Sequence, residues 1–133
     1  MNISQDKIKE LEKYLKELEK VIPQDFEEYI KNLEKRLACE RAFEKIIQSV
    51  NDLAILIIKK ERLTIPDENT KAFEVLSKKN IISSELATNL KKAMGMRNFL
   101  AHQYGNIDDE VVFEEIQKEI TKDVKEFLRE VQK

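Results

Sequence analysis

Between Gly95 and Gly105 the chain gathers an Arg, an Asn, a Tyr and its only His, bracketed by its only two Gly residues. An Arg and a His in one short stretch suit chemistry on a phosphate ester. The guanidinium fork of Arg97 grips non-bridging phosphate oxygens, stays protonated at any working pH and stabilises negative charge that grows in the transition state. The imidazole of His102 titrates near neutrality, so it takes or gives the proton on the attacking or leaving oxygen, a role commonly worth about 10²–10⁴ in rate. If the substrate is RNA, its 2′-hydroxyl serves as the nucleophile, and the site needs neither a metal nor a Ser, Cys or Asp nucleophile. A bare His near a helix end is more often structural than catalytic; its neighbours are what single this one out.

Helix geometry, at about 100° per residue, constrains how these groups work together. Asn98 and His102 are four apart and share a face, so Asn98 is a candidate to orient one imidazole nitrogen. Arg97 and Tyr104 are seven apart and also align. Arg97 and His102 are five apart and point about 140° from each other on a regular helix. Either the helix ends or distorts before Gly105, or one site combines side chains from two copies of the chain related by a two-fold axis. One His also supplies only one of two proton transfers, and a symmetric dimer supplies the second.

The elements that must carry these residues read as helices throughout, because two Gly and two Pro leave long windows rich in Glu, Lys, Leu, Ile and Ala. Ile8, Leu11, Leu15, Leu18 and Ile22 step by three and four along a first helix closed by Pro23. Asp25 and Glu28 predict the capped start of a long second helix. Its apolar positions Cys39, Phe43, Ile46, Ile47, Val50, Leu53, Ala54, Ile57 and Ile58 cover most of its surface and mark it as central. Gln48, Asn51 and Asp52 interrupt that surface. Ala72, Phe73, Val75 and Leu76 fit a short third helix from about Asp67 to Lys79 after the Thr64-Ile65-Pro66 break. Ser83 or Ser84 caps a fourth through Leu86, Leu90, Ala93 and Met94 toward His102, ended by Gly105. Asp108 caps a fifth along Val112, Ile116, Ile120, Val124, Phe127 and Leu128. The expectation is an all-α, five-helix bundle forming one domain over residues 1–133.

Composition narrows the function classes. One Cys and one His make neither an internal disulfide nor a zinc ligand set, and the charged N-terminus MNISQDKIKE shows no signal peptide, so a cytoplasmic location is expected. The longest apolar run, Leu53 to Ile58, is six residues, far short of the ~20 of a spanning helix. The 24 basic and 26 acidic side chains give a net charge of −2, so nucleic acid must be held by a locally positive cleft and not by the whole molecule's field.

The octapeptide Arg97-Asn98-Phe99-Leu100-Ala101-His102-Gln103-Tyr104 resembles the R-x-x-x-x-H-x-Y motif of the HEPN superfamily, in the HepT-like branch of toxin–antitoxin ribonucleases. The likeness extends from Arg41 through Asp52-Leu53-Ala54, Ile65-Pro66, Phe73-Glu74-Val75-Leu76 and Ile82-Ser83-Ser84-Glu85-Leu86-Ala87 to Asn106-Ile107-Asp108, about two thirds of the chain. It implies a HEPN-type all-α homodimer that cleaves RNA without a metal or other cofactor, its catalytic Arg97 and His102 lining a cleft at the subunit interface. It further implies a cognate minimal nucleotidyltransferase as antitoxin, which silences the toxin by transferring AMP from ATP onto Tyr104. The added anion beside Arg97 would block and repel an RNA backbone.

Several residues carry two readings. Asp52 is a possible auxiliary residue beside the site or a solvated carboxylate. Lys91 and Lys92 extend a phosphate-binding surface or decorate a wet helix. Gly95 marks a close backbone approach, as in a dimer contact, or a local bend. Glu40 and Arg41 read as ion-paired, Met94, Met96 and Cys39 as packing. The rival to the ribonuclease is a non-catalytic partner of a nucleotidyltransferase whose Arg and His bind a nucleotide without cutting.

Overall fold

The computed structural model describes residues 5–102 and 108–132, and all the regular structure among them is helical. Helix α1 spans Gln5–Val21, α2 Phe26–Lys31, α3 Leu33–Lys60, α4 Ala72–Lys78 after a 3-10 turn at Asn69–Lys71, and α5 Ser84–His102. Helix α6, Asp109–Glu114, passes through a π-helical turn at Glu115–Glu119 into α7, Ile120–Val131. The all-α expectation holds.

Caps fall where the side chains dictate them. Asp25 accepts from the Glu28 amide at 2.8 Å, Ser83 from Leu86 at 3.1 Å, and Asp108 from Glu110 at 3.0 Å. The helix expected to run unbroken from Asp25 is divided at Asn32, whose extended backbone closes α2 while its side-chain oxygen accepts from the Lys35 amide at 3.0 Å. Asn32 therefore ends one helix and caps the next. The other helix ends use left-handed residues without Gly: Arg62 (φ 57°) follows α3 and Asn80 (φ 59°) follows α4. In both, the next amide bonds five residues back, Leu63 to the Ile58 carbonyl at 3.0 Å and Ile81 to the Leu76 carbonyl at 2.9 Å.

Helix α3 is the axis of the molecule. The nine apolar positions from Cys39 to Ile58 that mark it as central in the sequence are all buried. Helix α1 packs along it with Leu11 and Leu18, α2 with Tyr29, and α4 and α5 with Phe73, Leu76, Leu90 and Ala93. Phe73 meets Phe127 of α7 edge-on at 6.4 Å between ring centroids, closing the core on the far side. Tyr29 packs against Phe113 of α6 with the rings tilted by 40° and their centroids 5.0 Å apart. Its hydroxyl donates to Glu40 at 2.9 Å, Glu40 also accepts from Arg36, and Arg36 reaches Asp109 at 2.7 Å. This relay fixes the start of α6 against α3.

Candidate functional site

Helix α5 delivers the motif. Its inward positions Leu86, Ala87, Leu90, Ala93 and Met94 are buried, which sets the half-buried Arg97 against α1 and α3. Arg97 Nη1 donates to the Asn98 side-chain oxygen at 3.1 Å. Arg36, Arg41 and Arg129 each face a carboxylate, whereas Arg97, like the exposed Arg62, has no carboxylate partner among the described residues, and its buried Nε has no hydrogen-bond partner among them. A guanidinium taken partly out of water without an anion is an unfinished interaction.

The space beside it is a cavity of about 190 Å³ walled by Glu10 and Tyr14 of α1, by Arg41, Glu44, Lys45, Gln48, Ser49 and Asp52 of α3, and by Arg97 of α5. Asp52 accepts from Gln48 Nε2 at 2.9 Å. Lys45 sits 4.7 Å from the Tyr14 ring centroid and pairs with Glu17 at 3.2 Å, while Arg41 pairs with Glu44 at 3.5 Å. Asp52 and Arg97, 45 residues apart in the chain, are thus brought to one cavity. Sequence reasoning passed over Ser49 and Tyr14 and marked Gln48 only as an interruption of the apolar surface. The available signal was the run of polar positions 45, 48, 49 and 52, which share one side of an otherwise apolar helix.

Other expected site features lie elsewhere. The Asn98 side chain, the candidate to orient the His102 imidazole, accepts from Arg97 through its amide oxygen. The His102 imidazole and residues 103–107, with Tyr104 and Gly105, lie outside the described residues. Helix α5 continues through Arg97 to His102, so these two positions keep their angular separation of about 140°. Gly95 is exposed on this continuous helix, and a Cβ there would meet nothing within 4 Å, so any close approach has to come from a second molecule. Phe99 is exposed on the same side. Lys91 bonds to Glu74 and Lys92 faces a second cavity, so neither extends the wall around Arg97. The expected locally positive cleft is not found among the described residues of one chain. Arg41, Lys45 and Arg97 are balanced by Glu10, Glu44 and Asp52.

The second cavity, about 270 Å³ between α5 and the π turn, is acidic. Glu114, Glu115, Glu119 and Asp123 face Lys92 and Asn89 there. Burial, with Asp123 next in importance, pushes the Glu115 carboxyl up to about 7, and burial raises Asp123 as well. Among the described residues no group of three His, Cys, Asp or Glu side chains is arranged to hold a metal ion, and no helix is long and apolar enough to cross a membrane.

The helices superpose on the tri-AMPylated HEPN toxin of Shewanella oneidensis in complex with its MNT antitoxin, with a TM-score of 0.88 at 23% identity, covering 96% of this chain and 94% of that one. The fold is therefore that of the HEPN toxins. A family model described as Ribonuclease HepT-like matches residues 11–131, and the chain belongs to this HepT-like family. Among curated relatives, the tRNA nuclease HepT of Aphanizomenon flos-aquae is 33% identical over 101 residues, 76% of this chain and 69% of the relative. The mRNA nuclease HepT of Shewanella oneidensis is 31% identical over 77 residues, 58% of this chain and 57% of that protein.

Proposed function

We propose that this chain is the toxin of a toxin–antitoxin pair, a metal-independent endoribonuclease that a cognate nucleotidyltransferase silences by AMP transfer to Tyr104. The observation that carries the reading is the half-buried Arg97, its buried Nε unpaired and its guanidinium without a carboxylate partner among the described residues. Arg97 holds the scissile phosphate and stabilises the charge of the pentacoordinate transition state. Asn98 braces the guanidinium. Asp52 lines the same wall as an auxiliary residue. His102 moves the proton between the 2′-hydroxyl and the leaving oxygen. The unbroken course of α5 favours supplying Arg97 and His102 to one site from two subunits of a homodimer. The whole chain acts as a single domain in the cytoplasm, where RNA, ATP and the antitoxin are available.

The test is incubation of purified protein with RNA in EDTA. Cleavage is expected to survive chelation, to leave 2′,3′-cyclic phosphate ends and to drop by about 10²–10⁴ in His102→Ala. Intact RNA under these conditions would refute the proposal. Co-expression with a cognate nucleotidyltransferase is expected to leave AMP on Tyr104, read by mass spectrometry, and to silence the cleavage. The charge balance of the Arg97 cavity supports one rival, a non-catalytic subunit that binds a single nucleotide, because a neutral cavity does not itself attract a polyanion. Growth arrest on expressing the chain without its antitoxin separates the two, since only the nuclease causes it.

A further inference from the structure

Four buried side-chain atoms among the described residues have no hydrogen-bond partner: Ser49 Oγ, Asn51 Oδ1, Arg97 Nε and Glu115 Oε2. Buried polar atoms are nearly always paired, so each of these invites an explanation. The two that are donors whatever the pH, Ser49 Oγ and Arg97 Nε, belong to residues lining the same cavity, one from α3 and one from α5. A helical Ser ordinarily returns its hydroxyl to the carbonyl four residues back, here that of Lys45. Ser49 is 3% exposed and makes no such bond. Its neighbours on the wall are already committed, Gln48 to Asp52, Lys45 to Glu17 and Arg41 to Glu44. What remains unsatisfied is a pair of donors, and a pair of donors fits an acceptor that brings its own negative charge.

We propose that Ser49 is a second donor to the oxyanion held by Arg97, so that a phosphate oxygen of the RNA backbone sits between the Ser49 hydroxyl and the Arg97 Nε–H. The inference rests on the RNA-cleaving reading of Arg97 and adds to it a binding residue from the central helix. Both atoms are covered in the free protein. The ligand oxygen therefore enters by displacing a long side chain at the rim, and Arg41, with 72% of its side chain exposed, is the most solvated of these. Ser49 acts by binding and takes no part in proton transfer.

The experiment measures binding of a 2′-deoxy-substituted oligoribonucleotide, which cannot be cleaved, and separately of inorganic phosphate, by titration calorimetry on the wild type, Ser49→Ala and Arg97→Ala. Ser49→Ala is expected to weaken oligonucleotide binding about tenfold, as loss of a hydrogen bond to a charged acceptor does. It should melt at or slightly above the wild-type temperature, because no hydrogen bond of the free protein is lost. Wild-type affinity in Ser49→Ala, alongside weakened binding in Arg97→Ala, would overturn the role of Ser49 and leave the nuclease reading intact. Wild-type affinity in both variants would overturn the nuclease reading of Arg97 itself. A loss confined to inorganic phosphate would place a free ion, not the RNA backbone, in the cavity and equally overturn the proposal.

Discussion

A carboxylate buried beside another carboxylate makes stability depend on pH. Glu115 is 4% exposed and Asp123 3%, and the pair shares the acidic cavity with Glu114, Glu119 and Lys92. The Glu115 carboxyl stands at about 7 when folded, against 4.5 ordinarily, chiefly because burial disfavours its charged form. Between these values the folded state holds more protons than the unfolded one, so stability falls as pH rises through that window. Asp123, also raised, acts in the same direction. Glu115→Gln removes the burden of the charge. It is expected to stabilise the protein by about 1–3 kcal/mol above pH 7, with the gain fading below pH 5. Denaturant titrations at pH 4.5, 6 and 8 check this, and a gain independent of pH would contradict it.

At the scale of elements, Asn32 is where local chemistry overrides a helical pattern. Asn32→Ala loses the bond accepted from the Lys35 amide and is expected to cost about 1 kcal/mol by denaturant unfolding. The better helix former at that position also favours fusing α2 to α3, which would draw Tyr29 off Phe113 and show as a changed near-ultraviolet spectrum. In the sequence this break is invisible, because Asn is tolerated in a helix and the flanking Lys31 and Leu33 are helix formers. The π turn is equally hidden, although its cause is legible afterwards. Val112, Ile116, Ile120 and Val124 step by four throughout, each step overshoots a turn by about 40°, and the wider turn at Glu115–Glu119 takes up the drift so that all four stay buried. The apolar stripes and the caps at Asp25, Ser83 and Asp108 needed only periodicity and were readable. Arg97 was readable from its neighbours in the motif. Ser49 was not, because its interest lies in a hydrogen bond it fails to make, a property of the packed state.

For the whole molecule the question is how many chains build one site. Arg97 and His102 occupy positions about 140° apart on an uninterrupted helix, and Arg97 faces a cavity of its own protomer walled by α1 and α3. If each site takes Arg97 from one subunit and His102 from its partner, Arg97→Ala and His102→Ala homodimers each lack one member at both sites. In a mixed dimer one site loses both residues and the other keeps both. Random exchange makes half the dimers mixed, each with one of two sites intact, so two inactive preparations are expected to recover about a quarter of wild-type cleavage when subunits are exchanged. A site built within one chain gives no recovery under the same exchange, because every site in the mixture then carries a substitution. The assay follows RNA cleavage after mild denaturant exchange, with sedimentation to establish the oligomeric state of the wild type and of each variant. The single His of the chain makes the readout clean, since no other imidazole is present to substitute for the missing one.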